Sequence, residues 1–162
     1  MKKLGLCLLI FLVLFSFCGC QPEVPKEINL HIDSPYTATM GDLSIEGLII
    51  YTEDGEMYLD VSTPDELAGL NFSFKDDFTI GYRGLNAIKE NGYLPPSAFA
   101  QSIKNSLDNA LRTKPELKKA EDEKFIATAK GDSGCYKICT DIKGNITQIE
   151  VIGADVIVKI NE

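Results

Sequence analysis

Few side chains in this sequence have the type and spacing to do chemistry, and the one in the most telling surroundings is Cys20. It follows Phe17-Cys18-Gly19 and precedes the polar, proline-bearing stretch Gln21-Pro22-Glu23-Val24-Pro25. The segment before it opens with Lys2 and Lys3 and continues through a nearly unbroken apolar run from Leu4 to Phe17. A positive start, an apolar stretch and a small residue before a cut form the plan of a secretory signal. The other candidates are sparse. His31 is the only histidine, which excludes a multi-His metal site and leaves one candidate base for a Ser or Cys nucleophile; a surface or packing role is expected of it. Asp76 and Asp77 are adjacent, and adjacent strand residues point to opposite faces, so a charged turn is expected there. Gly81-Tyr82-Arg83-Gly84 lies at a strand end with no helix start directly after it to cradle a phosphate. No catalytic residue, metal site or cofactor is expected, and the chain does not read as an enzyme.

The apolar run falls short of the roughly 17 residues that are the lower limit for crossing a bilayer. Its end, a small residue followed at once by cysteine, resembles the lipobox of bacterial lipoproteins, with Phe17 where leucine is usual. That resemblance implies cleavage before Cys20, a thioether from its sulfur to diacylglycerol, and an acylated, palmitate-type anchor at the mature N-terminus. Two acyl chains, at about 0.8 kcal/mol per buried methylene, hold a protein stably where one chain would not. The division expected is therefore a signal peptide over 1–19, a lipidated cysteine and tether over 20–26, and one domain over 27–162. The location expected is the extracytoplasmic face of the cell membrane, in a cell envelope.

Charge narrows the partners further. The first 19 residues carry two of the 16 basic side chains and none of the 24 acidic ones, so processing makes an acidic chain more acidic. Nucleic acid, whose affinity comes from cation contacts to phosphate, is excluded as a partner. Cys135 and Cys139 are the only cysteines of the domain. On one strand, four residues at about 3.3 Å each hold them about 13 Å apart, so two free thiols are expected.

The elements that would position a site are mostly strands. Met57, Leu59 and Val61 alternate with polar neighbours. Asp54-Gly55 before them marks a hairpin turn. Leu43 and Ile45 lie on one phase and Leu48 and Ile50 on the other, which suggests a bulge at Glu46-Gly47. Thr63-Pro64-Asp65-Glu66 reads as a helix start with Thr63 as cap, ending at Gly69. Residues 71–74 and 78–82 form a strand pair. One long helix is expected from about Pro96 to Arg112, capped by Ser97, with Phe99, Ile103, Leu107, Ala110 and Leu111 on its apolar stripe and Ser102, Lys104, Asn105, Asp108 and Asn109 facing away. Residues 113–124 are polar, with room for a short surface helix. Strands over 125–130, 135–142, 146–152 and 155–160 form a closing meander. The fold class is α+β.

Several of these segments together resemble the LolA/LolB-like superfamily of envelope lipoprotein carriers. They are the lipobox, residues 55–61, Thr63-Pro64-Asp65-Glu66-Leu67-Ala68-Gly69-Leu70 with the phenylalanine strand after it, the hairpin over 140–147 and the terminal strand over 156–160. The resemblance implies a strongly curved antiparallel sheet, an open half-barrel with helices covering one face. It also implies an apolar groove that binds or handles a lipid or lipidated molecule. The groove residues expected are Phe72, Phe74, Phe78, Ile80 and Tyr82 facing Phe99, Ile103 and Leu107. The alternative is a non-catalytic interaction or sensor module with a filled core, whose partner is another envelope protein.

Overall fold

The computed structural model describes residues 25, 27–90, 94–95, 97–120 and 124–161. The apolar leader, Cys20 and the tether up to Val24 lie outside them, as does Pro96. In chain order the elements are β1 (Ile32–Met40), β2 (Leu43–Tyr51), β3 (Met57–Asp60), β4 (Leu70–Phe74), β5 (Asp77–Tyr82), β6 (Leu85–Glu90), α1 (Phe99–Thr113), β7 (Lys118–Lys119), β8 (Phe125–Gly131), β9 (Gly134–Thr140), β10 (Ile146–Val151), a 3-10 turn (Ile152–Ala154) and β11 (Val156–Ile160). All eleven strands join one antiparallel sheet in the order β6-β5-β4-β3-β2-β1-β11-β10-β9-β8-β7. Two meanders meet where β1 pairs with β11, Tyr36 opposite Ile160 and Met40 opposite Val156. The outer edges are β6 and β7, so the sheet is not closed, and α1 is the connection that carries the chain from one edge to the other.

Period-two patterning sets the register. Ile45, Ile49 and Tyr51 share a buried face with Met57 and Leu59, which lie opposite Tyr51 and Ile49. On the same face Phe72 is paired with Ile80 and Phe74 with Phe78. The hairpin at Asp54-Gly55 is present: Thr52 N–H donates to Glu56 O and Gly55 N–H to Thr52 O, both at 3.0 Å. Gly55 has φ +81°, a backbone state that side-chain-bearing residues rarely adopt.

Three expectations are overturned. The β1–β2 register runs unbroken from Ile32 opposite Tyr51 to Met40 opposite Leu43, so there is no bulge at Glu46-Gly47. Gly47 instead marks a close approach: a Cβ there would fall on the Asp60 carbonyl, 2.8 Å from its carbon. Its cross-strand partner Tyr36 is buried and donates its hydroxyl to Asp60 O at 2.8 Å. The helix expected from Thr63 is a series of turns, because β2 takes the backbone groups a first helical turn would need. Glu46 N–H donates to Thr63 O at 3.0 Å, and Ser62 and Thr63 N–H both donate to Glu46 O. Gly69 N–H then returns to Val61 O at 2.9 Å. Among the described residues of the polar stretch after α1, the element formed is not a helix but the two-residue edge strand β7, paired with β8.

α1 also starts later than its pattern suggests. Its N-cap is Ala98, in an extended conformation with no side-chain cap, and Ser97 precedes it. It ends at Lys114, whose φ of 44° is left-handed and whose N–H donates to Ala110 O at 2.9 Å. Ser102 and Asn109, expected to face away, are buried together with Gln101 and Ser106. Tyr51 of β2 reaches Asp108 Oδ1 at 2.8 Å, and Tyr136 of β9 reaches Asn109 Oδ1 at 2.8 Å. Four strand spacings separate β2 from β9, about 19 Å in a flat sheet. Neighbouring helix residues can take both hydroxyls only because the sheet curves about the helix. Among the described residues no helix is long and apolar enough to cross a membrane.

Candidate functional site

Seven of the eight residues expected to line a groove are brought together, in or against one buried cluster. Phe72, Phe74, Phe78, Ile103 and Leu107 belong to one buried cluster, with Ile80 and Phe99 against it. The Phe74 and Phe78 rings lie 5.0 Å apart, and Phe99 stands 6.3 Å from Tyr36. Tyr82 shares the face of β5 that carries Phe78 and Ile80, and its hydroxyl donates to Glu66 O at 2.8 Å. Neither of the two cavities described below is lined by any of these eight.

The larger cavity lies at the C-terminal end of α1. There the segment Glu27–Leu30 runs along the β9–β10 turn, held by Asn29 N–H to Gly144 O at 2.9 Å and Asn29 Nδ2–H to Asn145 Oδ1 at 3.0 Å. The β2–β3 loop contributes Glu53, and the last turn of the helix with the residues after it contributes Ala110, Leu111, Lys114 and Pro115. Between them is an opening of ≈ 740 Å³. Its walls are Ile28, Leu30, Ala110, Leu111 and Pro115, and its polar groups are Glu27, Asn29, Glu53 and Lys114. Lys114 Nζ stands 3.6 Å from the Glu27 carboxylate across the space. Polar and apolar groups line it in about equal measure.

What fixes the helix beside this opening is a line of polar contacts. Asp108 is shared by Tyr51 and by the Lys104 amine, four residues back along the helix. Burial foremost, and then the Asp108 charge, pushes the Tyr51 hydroxyl well above its ordinary pKa, so it remains a donor. Burial does the same for Tyr136 against weaker opposing effects from Thr113 and Arg112. Ser102 and Ser106 turn their hydroxyls to the carbonyls of Phe99 and Ser102, which satisfies them inside the core. Lys114, Glu27 and Glu53 offer charge at the opening.

A smaller cavity of ≈ 330 Å³ borders β1, β10 and β11 and is rimmed by polar side chains including His31, Asp33, Asp141 and Asn161. Cys135 and Cys139 are both free thiols on β9. Cys139 is buried, and desolvation pushes its pKa up in spite of the Lys137 amine nearby. Among the described residues no three His, Cys, Asp or Glu side chains gather as a metal site. Cys20 lies outside the described residues.

No family model matches this chain, and no curated protein matches it. The residues that sequence reasoning missed are those of the helix end and of the segment Glu27–Leu30, the strap that runs along the β9–β10 turn. Their signal was present: Ile28 and Leu30 alternate with Glu27 and Asn29, and the helical stripe extends past Leu107 to Ala110 and Leu111.

Proposed function

We propose that this protein is a lipid-anchored envelope protein that takes an acyl chain of a lipid or lipidated molecule into the cavity at the C-terminal end of α1. The fold in this reading is a LolA/LolB-like open half-barrel whose concave face is covered by the helix, tethered to the extracytoplasmic face of the membrane through diacylglycerol on Cys20. The observation that carries the reading is the ≈ 740 Å³ opening with Ile28, Leu30, Ala110, Leu111 and Pro115 on its walls and the Lys114–Glu27 pair at its rim. The protein binds and does not turn over. The test is titration of a fluorescent fatty acid into soluble protein beginning at Gln21, for the parent and for Ala110→Phe. A phenyl ring projected into the opening should cost less than the ~1–3 kcal/mol of overpacking a filled core, while weakening fatty-acid binding at least tenfold. Strong destabilisation, with no binding by the parent, contradicts the reading.

A second reading, an interaction or sensor module, draws support from two features. Seven of the eight residues of the expected groove are packed together, and β6, the outermost strand on its side of the sheet, leaves Leu85 and Ile88 exposed. Such an edge suits strand addition by another envelope protein.

A further inference from the structure

The cavity and the start of the described chain lie at the same end of the molecule, and the turn that supports both carries an exposed isoleucine. The β9–β10 turn, Asp141 to Asn145, is built around one carboxylate. Asp141 Oδ1 accepts from Lys143 N–H at 2.8 Å and Asn145 N–H at 2.9 Å, and Oδ2 accepts from Asn145 Nδ2–H at 3.0 Å. Ile142 projects from it, half exposed, beside Lys143. Pro25 and Glu27 lie against this turn: a Cβ at Gly144 would be 3.5 Å from Pro25 Cβ and 2.6 Å from Glu27 O.

We infer that this end is a membrane-docking surface, with Ile142 entering the phospholipid leaflet that holds the anchor and the cavity mouth opening toward it. The inference rests on the proposed acylation of Cys20 and deepens that reading by fixing where the ligand enters. Five residues separate Cys20 from Pro25, and an extended chain covers at most about 3.6 Å per residue, so Pro25 stays within about 18 Å of the anchored cysteine. The strap's hydrogen bonds to Gly144 and Asn145 pass that constraint to the turn. One isoleucine is too little apolar surface to recruit a protein from solution. On a tether this short its local concentration at the leaflet is high, and burying it is enough to set orientation. Lys143 and Lys114 have apolar stems that can lie along the leaflet with their amines among headgroups. Of the carboxylates near them, Asp141 is committed to the turn and Glu27 is paired with Lys114, while Glu53 borders the same opening. Ile152, also exposed, sits beyond the far end of β10, about 20 Å away along six strand residues.

The chain has no tryptophan, so a single introduced indole reports without background. Full-length acylated protein carrying Ile142→Trp, and separately Ile152→Trp, is reconstituted in phosphatidylcholine vesicles containing brominated acyl chains. The expected result is a blue-shifted emission for Ile142→Trp, quenched at least threefold, with Ile152→Trp unquenched. Lys143→Trp, one position along the same turn, is a second reporter should the first variant not fold. Equal quenching at both ends, or none at the turn when mass measurement of the same sample finds diacylglycerol on Cys20, overturns the docking surface and leaves the anchor standing. An unmodified Cys20 overturns both.

Discussion

Removing the Tyr51 and Tyr136 hydroxyls tests whether the two meanders are clamped onto one helix. Tyr51→Phe deletes a 2.8 Å hydrogen bond to the Asp108 carboxylate. Bonds to charged groups contribute about 1.5–3 kcal/mol. Asp108 keeps its Lys104 partner, and its side chain is 41% exposed, so water can take the vacated site. The low end of that range, about 1.5 kcal/mol, is expected. Tyr136→Phe leaves Asn109 Oδ1 without its donor in a residue only 6% exposed, where an unsatisfied acceptor costs about 1–3 kcal/mol. The second change should therefore cost at least as much as the first. Urea denaturation at pH 7 reads both, and each kcal/mol lowers the midpoint of thermal unfolding by about 2–4 °C in a domain of this size. The pH dependence follows from the raised tyrosine pKa values. A group whose folded-state pKa lies above its unfolded value contributes stability that is fully present below the unfolded pKa, about 10 for tyrosine, and that is lost as pH rises toward the folded pKa. Tyr36, raised by burial and then by the Asp60 charge, behaves in the same way. Parent protein should thus lose stability above about pH 10, and the gap between it and Tyr51→Phe should narrow there. Tyr58→Phe, on the more exposed face, is the control at pH 7; its own hydroxyl is also raised, by burial and then by the Asp60 charge, so it serves only there. If Tyr51→Phe and Tyr136→Phe both stay within about 0.5 kcal/mol of the parent, as ordinary surface changes do, the clamp is not what holds the helix.

Gly47→Ala should push β2 and β3 apart at Asp60 and cost more than the ~1–3 kcal/mol of an ordinary overpacking change, because the obstacle is backbone; urea unfolding checks it, and a midpoint equal to the parent's means Tyr36 and Asp60 do not meet over that glycine. Asp141→Asn should destabilise at neutral pH. Slight burial tends to raise the Asp141 pKa, but hydrogen bonds from Asn145 and Lys143 outweigh it and hold the carboxyl below its ordinary value. Its contribution is therefore full above the ordinary carboxylate pKa and is lost as pH falls through the lower, folded one. The parent and Asp141→Asn should converge in thermal midpoint toward strongly acid pH, and a constant difference down to that range means the turn does not depend on the ionised carboxylate.

Strand identity was legible where apolar residues alternate cleanly, as in Met57–Asp60 and Leu70–Phe74, and where Asp54-Gly55 marks the turn. β1 was not, because Pro35, Ser34, Thr37 and Thr39 dilute its pattern, although Ile32, Tyr36 and Ala38 are buried. Thr63-Pro64-Asp65-Glu66 carries the local signature of a helix start and forms none, since Glu46 takes the backbone groups of Ser62 and Thr63. Tertiary pairing overrode local preference there. The helix stripe was right for Ile103, Leu107 and Ala110, but α1 is buried over more of its circumference than the stripe alone, at Gln101, Ser102, Ser106 and Asn109. Ser102, Ser106 and Asn109 could enter that interior because backbone carbonyls and the Tyr136 hydroxyl satisfy them. The opening was not legible as a site: the sequence pointed to a space between the phenylalanine strands and α1, while the opening described lies past Leu107, at the helix end, where residues distant in sequence converge.

The most direct measurement of the central claim is where an acyl chain touches the protein. A fatty acid bearing a photoactivatable diazirine near its terminal methyl, equilibrated with the folded protein, irradiated and mapped by peptide mass spectrometry, reports that position. The account predicts adducts on residues 27–30 and 110–115, reduced in Ala110→Phe. Adducts confined to residues 72–82, or none above the level seen with unfolded protein, would contradict it.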